Sequence, residues 1–183
     1  MVKRKEKTSM LVFVDVEAAE GPTPFSGKMT EFGAVEFGTR ESFHGRVYKT
    51  ITHPAHAAKF VITGDAEPLA SVIRRFSQWL DRFDARPVFV SDNPAFDWQW
   101  IAHGFDVAGI DNPFGFSARR IGDLYAGFSG NWKSTNVWKR LRRTVHDHNP
   151  VNDAMGNAEA YEEILRRFNQ ELPHTPDFQT SEE

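Results

Sequence analysis

The stretch Leu11-Val-Phe-Val-Asp-Val-Glu17 decides the fold of this 183-residue chain. Its side chains alternate between two faces, as those of a β-strand do. One face carries Leu11 and Phe13 followed by Asp15 and Glu17, and the other face carries three valines. Because both faces are apolar in the first half, the stretch predicts a central strand that is covered on both sides.

The segments around this strand alternate between strand and helix patterns. A turn-rich loop at residues 21–27 follows it. Further strands are predicted at 29–37, 43–50 and 87–90, and helices at 69–83, 134–145 and 152–168. Asn93 is expected to cap another helix with Pro94 at its first position, while the pattern at 119–128 fits either element. This order predicts an α/β fold with a mixed central sheet.

Length and composition favour a single domain, which we assign to residues 10–169 between a basic tail at 1–9 and a polar tail at 170–183. The chain has no cysteine, which excludes a disulfide scaffold, a thiolate zinc finger and a cysteine nucleophile, and fits a cytoplasmic protein. The apolar run at 11–14 is too short for a signal peptide or a membrane span. The net charge of −3 excludes only binding of nucleic acid by bulk attraction.

Acidic side chains stand at three predicted element ends, and each has a simple explanation when taken alone. Asp15 and Glu17 are close enough to repel each other, so either both lie at the solvated end of the strand or a divalent cation lies between them. Asp97 and Asp153 each fall near the start of a predicted helix, where the helix dipole favours an acid. His148, five positions before Asp153, is by itself typical of a surface histidine.

Together, these motifs resemble the DEDDh family of 3′→5′ exonucleases. The family's first motif is similar to Asp15-Val-Glu17, followed by the loop at 21–27 and then by Glu31-Phe-Gly-Ala-Val35. Gly122-Asp-Leu124 is similar to an element often found between the family's second and third motifs. The resemblance spans residues 10–168 and implies a ribonuclease H-like fold, with a mixed sheet of about five strands flanked by helices.

The resemblance also implies a metal-dependent hydrolase that releases nucleoside 5′-monophosphates from the 3′ end of single-stranded RNA or DNA. The carboxylates that would hold two Mg²⁺ or Mn²⁺ ions are Asp15, Glu17, Asp97 and Asp153. His148 would act as the general base, and His146 is a rival whose spacing to Asp153 does not fit the motif. Many members of the family are dimers, so a homodimer is a further expectation, whereas a membrane partner is not expected.

Substrate contacts are predicted from the first two motifs and from a basic stretch. Ala18 replaces the threonine that is usual in the family, Asp92 stands where many members have histidine, and Phe25 or Met29 could wedge the terminal bases. The basic stretch at 119–143 would form a phosphate track, although a solvated helix face explains it as well. The predicted substrate-binding residues are Ala18, Phe25, Met29, Asn93, Arg119, Arg120, Lys139, Arg140 and Arg143.

Two other interpretations of the same residues remain open. The fold could serve as a nucleic-acid-binding module that is weakly active or inactive, although every expected catalytic residue is present. A nuclease of this fold could instead cut internally or act on very short oligonucleotides. His53 and His56 could suggest a metal pair, but they lack a third ligand at suitable spacing and are assigned to an exposed loop.

Overall fold

The computed structural model describes residues 8–47 and 65–171, apart from the side chain of Glu171. Most of the two predicted tails, the end of the strand predicted at 43–50, and His53 and His56 lie outside the described residues. The strands are β1 (Ser9–Ala19), β2 (Lys28–Glu36), β3 (Ser42–Arg46), β4 (Arg86–Ser91) and β5 (Ala118–Arg120). The α-helices are α1 (Leu69–Asp81), α2 (Pro94–Ala108), α3 (Ile121–Phe128) and α4 (Pro150–Glu171).

The five strands form one mixed sheet in the order β3-β2-β1-β4-β5. Strand β2 pairs antiparallel with β1 and β3, whereas β4 pairs parallel with β1 and β5. The predicted mixed sheet is therefore confirmed, with β1 at its centre. Because β1, β4 and β5 run in the same direction, their carboxyl ends meet at one end of the sheet, and side chains that follow these strands come together there.

Helices cover both faces of the sheet, as the two apolar faces of β1 predict. Val12, Val14 and Val16 pack with residues of α1 and α2 in one buried cluster. Phe13 packs on the opposite face with residues of α3 and α4 in a second cluster. Burial of apolar area on both faces stabilises this three-layer arrangement by about 25 cal/mol for each Å² removed from water.

The first turn of α4 lies directly against β2 at Gly33. A Cβ atom built on Gly33 would overlap the backbone of Pro150 and Val151. Gly33 is also the residue that pairs with Asp15 across the β1–β2 ladder. A glycine is needed here because two backbones approach closely, and the contact places the start of α4 beside the acidic half of β1.

The helix predicted over residues 134–145 is wrong. In its place the chain forms two 3₁₀ turns, Trp132–Ser134 and Val137–Leu141. Trp138 is buried as the pattern predicts, but Val145 is exposed and the backbone becomes extended at Arg142. An apolar spacing of three to four residues fits an α-helix and a 3₁₀ helix alike, so the spacing does not predict where the helical segment ends. The contacts of Arg142 with other elements decide this end.

The remaining predictions differ from the structure by small shifts. The pattern at 119–128 resolves into β5 followed by α3. Helix α4 begins at Pro150 rather than at residue 152, and Phe168 is exposed rather than inward. Asn93 and Pro94 occupy the N-cap and first position of α2 as predicted, but the Asn93 side chain makes no capping hydrogen bond. Within the described ranges, no helix combines the length and apolar character needed to cross a membrane.

Candidate active site

Four carboxylates converge at the end of the sheet where β1 and β4 stop. Asp15 and Glu17 belong to the last half of β1 and are partly buried. Asp97 lies in the first turn of α2, directly after β4, and Asp153 lies in the first turn of α4. Both of these aspartates are almost completely buried. The topology therefore brings together acids that are more than 130 positions apart in the chain.

One close group consists of Asp15, Glu17 and Asp153. One oxygen atom of each lies within 4.8 Å of the other two. Among the described residues, Asp97 does not join this group, since its Oδ1 accepts a hydrogen bond from the backbone N–H of Val16 at 3.1 Å. Three of the four predicted ligands thus share one site, and the fourth is anchored beside it to the backbone of β1.

A β-bulge in β2, with Thr30 as the extra residue, lies opposite Glu17 and Ala18 of β1 at the site. The pairing register shifts between Glu17 and Ala18, so that Glu31 faces Glu17 while Met29 faces Ala18. The hydroxyl of Thr30, between these two partners, donates a hydrogen bond to the Glu17 carbonyl at 2.9 Å. Bulges commonly lie next to active sites, where they redirect a side chain. Here the bulge and the threonine fix the backbone of Glu17.

Crowding and burial raise the pKa of two of these carboxyls. Burial raises the pKa of Asp15 to about 9, and the negative charges of Asp97, Asp153 and Glu17 add to the effect. Burial also raises the pKa of Asp97 to about 7, against hydrogen bonds that include the one from Val16. Raised pKa values show that negative charge is costly at this position, so a cation placed among these groups would be strongly stabilised.

The donor set of the site fits a divalent cation. Oδ2 of Asp153 is fully buried and accepts no hydrogen bond from the described residues, although Nδ1 of His146 lies 2.7 Å away. A buried carboxylate oxygen that accepts no hydrogen bond costs free energy, and coordination of a cation would reduce that cost. Carboxylate oxygens are the ligands that Mg²⁺ and Mn²⁺ prefer. The residues present therefore fit the metal site that the sequence predicts.

Two histidines from the loop before α4 face these carboxylates. Nδ1 of His148 lies 3.2 Å from Oε1 of Glu17, and the backbone of His148 has a φ of 62°, in the left-handed region that few side chains favour. Its side chain is 59% exposed, so a substrate can reach it. His146 pairs with Asp153, and the two imidazole rings are 4.7 Å apart. The structure thus brings both the predicted base and its rival to the site.

The predicted base-wedging residues differ in their accessibility. Phe25 is fully exposed on the loop at 21–27, which is tied to α2 by a 3.0 Å hydrogen bond from Gln99 to the Pro22 carbonyl. Met29 is only 4% exposed and belongs to the apolar core, so the prediction that it contacts terminal bases is wrong. Ala18 packs at the edge of the same core, while Asn93 is exposed at the start of α2.

The basic stretch at 119–143 is not the free phosphate track that the sequence predicts. Three of the predicted contacts are paired with acids, in the ion pairs Lys139–Asp92 at 2.6 Å, Arg120–Asp123 at 3.0 Å and Arg143–Glu162 at 3.1 Å. Arg119 and Arg140 are exposed and make no ion pair with any residue of the described ranges. These two remain available for contacts with phosphate groups.

One residue near the site was missed by sequence reasoning. Arg142 is buried, and its guanidinium contacts Asp92 and Asn157. The sequence shows Asp92 as a departure from the family's pattern, but no local signal pairs it with a residue 50 positions later. Only the three-dimensional arrangement reveals this contact.

Comparisons with known proteins show the family of this chain. The family described as the 3′-5′ exoribonuclease Rv2179c-like domain matches residues 10–165. The 3′-5′ DNA exonuclease Cap18 of Escherichia coli is 31% identical to this chain over 170 residues, which cover 83% of this chain and 89% of Cap18.

Two solved structures show the same fold at low sequence identity. The nuclease domain of 3′hExo, described as a DEDDh family member bound to rAMP, has a TM-score of 0.60 and 15% identity, over 89% of this chain and 92% of that one. Cell-death related nuclease 4 (CRN-4) has a TM-score of 0.67 and 16% identity, over 88% of this chain and 65% of that one. From the family match over most of its length, the chain belongs to the Rv2179c-like 3′-5′ exoribonuclease domain family, and it is a 3′→5′ exonuclease with the ribonuclease H-like fold of DEDDh nucleases.

Proposed function

We propose that this exonuclease hydrolyses single-stranded nucleic acid one nucleotide at a time from the 3′ end and releases nucleoside 5′-monophosphates. The observation that carries the proposal is the position of His148 against Glu17, at a cluster where oxygens of Asp15, Glu17 and Asp153 lie within 4.8 Å of one another. Cation ligands and an exposed base are thus adjacent, which is the combination that hydrolysis of a phosphodiester requires.

The carboxylates hold the cations in this proposal. The residues concerned are Asp15, Glu17, Asp97 and Asp153. Two Mg²⁺ or Mn²⁺ ions bound by them would lower the pKa of the attacking water and stabilise negative charge on the phosphate. The N–H of Val16 keeps the Asp97 carboxylate in place, and the hydroxyl of Thr30 keeps the backbone of Glu17 in place. These contacts limit the motion of two acids before substrate arrives.

His148 is the general base in this proposal. When its Nδ1–H donates to Glu17, Nε2 is the free nitrogen that accepts a proton. The proton of the attacking water passes to Nε2 as the water oxygen bonds to phosphorus. The bond between phosphorus and O3′ of the preceding nucleotide breaks and O3′ takes a proton from solvent water, so the terminal nucleotide leaves with a 5′-phosphate and the shortened strand keeps a 3′-hydroxyl.

Exposed aromatic and basic groups are suited to contact the 3′ end of the strand. Phe25, which is fully exposed on its loop, is suited to stack on a base near the 3′ terminus. Arg119 and Arg140, the two predicted contacts without an ion pair in the described ranges, are suited to contact phosphates further along the strand. These groups contact features that RNA and DNA share. The matched family is named for RNA and Cap18 is named for DNA, so both polymers are candidate substrates.

The test uses RNA and DNA oligonucleotides of one sequence, labelled at the 5′ end, each as single strand and as duplex. Products are resolved by length with Mg²⁺, with Mn²⁺ and with EDTA. We expect a ladder that shortens from the 3′ end on single strands and disappears with EDTA. A single internal cut, degradation limited to very short oligonucleotides, or binding without products would each contradict the proposal and support one of the alternative activities.

A further inference from the structure

Arg142 is a nearly buried cation at the end of an otherwise exposed basic stretch. Its side chain is 8% exposed, compared with 66% for the neighbouring Arg143. Nη2 of Arg142 lies 3.4 Å from Oδ2 of Asp92 and donates a 2.5 Å hydrogen bond to Oδ1 of Asn157, which is itself completely buried. The guanidinium therefore connects two polar groups from different parts of the chain.

The two partners of Arg142 belong to the segments that carry the acids of the site. Asp92 lies five residues before Asp97, in the turn between β4 and α2. Asn157 lies four residues after Asp153, about one turn further along α4 and on the same face. Arg142 itself lies six residues before His148. One side chain thus links the turn, the histidine loop and the helix.

The surroundings of Arg142 are built to hold this side chain. Gly156 leaves room for its stem, because a Cβ at Gly156 would come within 3.3 Å of Cδ of Arg142 and 2.9 Å of the Thr144 carbonyl. The ring of Trp138 lies 5.0 Å from the guanidinium. Asp92 is held in turn, since Arg120 donates from Nε to its backbone carbonyl at 3.2 Å.

Neither phosphate binding nor stability alone accounts for this arrangement. A guanidinium that binds the phosphates of a polymer must be open to them, and Arg142 is enclosed. Buried ion pairs can often be replaced by apolar side chains of similar volume without loss of stability, so stability does not require one here. The contacts of Arg142 with Asp92 and Asn157, called the bridge below, fix the relative positions of three chain segments. Each of these segments carries a residue of the site.

We propose that Arg142 is a positioning residue, whose contacts with Asp92 and Asn157 hold the histidine loop at 143–149 in register with the turn after β4 and with α4. This inference rests on the proposed function for the role of His148. Outer partners that orient the groups of a metal site typically change affinity or activity by 10-fold to 100-fold when they are removed. Arg142 acts on the reaction through the placement of other groups and does not touch the substrate.

The kinetic test compares Arg142→Met, which keeps the apolar stem, with Arg142→Lys, which keeps the charge but not the planar set of donors. We expect kcat to fall about 10-fold to 100-fold for Arg142→Met while KM changes by less than about threefold, and to recover in part for Arg142→Lys. The matched control is Arg166→Met, which removes an exposed arginine that pairs with Glu163 on α4, and which should retain the kcat of the wild type. All rates are measured well below each variant's melting temperature.

A second measurement tests the contacts of Arg142 with Asp92 and Asn157 without relying on activity. Hydrogen exchange by mass spectrometry should show faster exchange in peptides from the histidine loop of Arg142→Met, with α1 unchanged. Asn157→Ala, which removes the tie to α4 but leaves the contact of Arg142 with Asp92, should show the same change to a smaller extent. This variant keeps the test decisive if Arg142→Met does not fold.

Three results would overturn the inference. One is a wild-type kcat in Arg142→Met together with a lower melting temperature, which would leave Arg142 a purely stabilising role. Another is a higher KM at unchanged kcat, which would indicate a substrate contact. The third is unchanged exchange in the histidine loop of both variants. A wild-type enzyme without 3′→5′ activity would overturn the proposed function instead, while the exchange data would still decide the bridge.

Discussion

The acids at the end of β1 and the bases that follow β5 carry charge of opposite sign, and they differ in how that charge is compensated. Oxygens of Asp15, Glu17 and Asp153 lie close to one another, and the pKa of Asp15 rises to about 9. In the basic stretch, by contrast, Lys139 and Arg143 lie against acids of the same chain. Partly buried like charge points to a site that fits a cation, whereas a count of surface bases does not identify a track for a polymer.

The largest loss of activity is expected when one of the crowded acids is neutralised. Asp15→Asn or Asp153→Asn should reduce turnover to the level of a blank without enzyme, because each removes a carboxylate needed for the cations. The measurement is the initial rate on a 5′-labelled oligonucleotide in Mn²⁺. Asp111→Asn, which changes an exposed acid outside the site, serves as the matched control and should match the wild type. Substantial activity in either site variant would show that the acids do not hold the cations.

A smaller loss is expected from the histidine loop. His148→Ala should lower kcat by about 10²-fold to 10⁴-fold, the range for removal of a general base, while calorimetry still detects Mn²⁺ binding. His146→Ala should lower kcat less, since Nδ1 of His146 lies 2.7 Å from a buried oxygen of Asp153, whereas His148 lies over Glu17. If His146→Ala proves the more damaging change, the assignment of the base is reversed.

The raised pKa values predict how stability depends on pH in the absence of cations. The pKa values of Asp15 and Asp97 in the folded protein are about 9 and about 7, both above the unperturbed value of 3.8. The folded state therefore binds more protons than the unfolded chain between these values, and stability should fall as pH rises from about 4 to about 9. The melting temperature in EDTA, measured across this range, checks the sign.

Added cation should offset that loss of stability at high pH. At a free Mn²⁺ concentration about 100 times its Kd, binding contributes about 2.7 kcal/mol, or about 5–10 °C in melting temperature for a chain of this length. Asp15→Asn should flatten the pH dependence and reduce the response to Mn²⁺. A melting temperature in EDTA that rises with pH from 4 to 9 would mean that the crowded acids are compensated within the protein.

The smallest effects are expected from Arg119 and Arg140, which are exposed bases of the stretch at 119–143. They test whether bases without an internal ion pair contribute more to binding than paired ones. Arg119→Ala and Arg140→Ala should each raise KM several-fold and lower the slope of log affinity against log salt by about 0.7, the value for one phosphate contact on a single strand. Arg143→Ala should change the slope less, because Arg143 is already paired with Glu162. Equal slopes for all three variants would show that the internal ion pairs do not matter for binding.

The sequence predicts the acidic site better than its surroundings because the signal for the acids is local. Alternation along β1 places Asp15 and Glu17 on one face of a strand, a strand-to-helix transition places Asp97 at the start of a helix, and the resemblance to DEDDh exonucleases groups them as one site. The topology then brings these groups together without further information. Each of these signals lies within a few residues of chain, where the period of a strand or the start of a helix can be read directly.

The predictions that fail depend on contacts between distant residues. The burial of Met29 depends on the pairing register after a bulge at Thr30, and bulges leave no pattern in a single strand. The chain becomes extended at Arg142, whose partners are 50 and 15 positions away. Two ion pairs of the basic stretch, Lys139–Asp92 and Arg143–Glu162, likewise join residues that are distant in the chain. None of these contacts can be derived from periodicity.

The close approach at Gly33 means that the spacing of the acids is set by a residue with no polar side chain. Gly33 lies between Asp15 and the start of α4, and a methyl group there would act as a wedge between sheet and helix. A chain that kept every charged residue but carried alanine at this position would hold Asp153 too far from β1. The presence of the acids and the histidine is therefore not a sufficient criterion for an active relative. The residue that pairs with Asp15, here Gly33, should be compared as well.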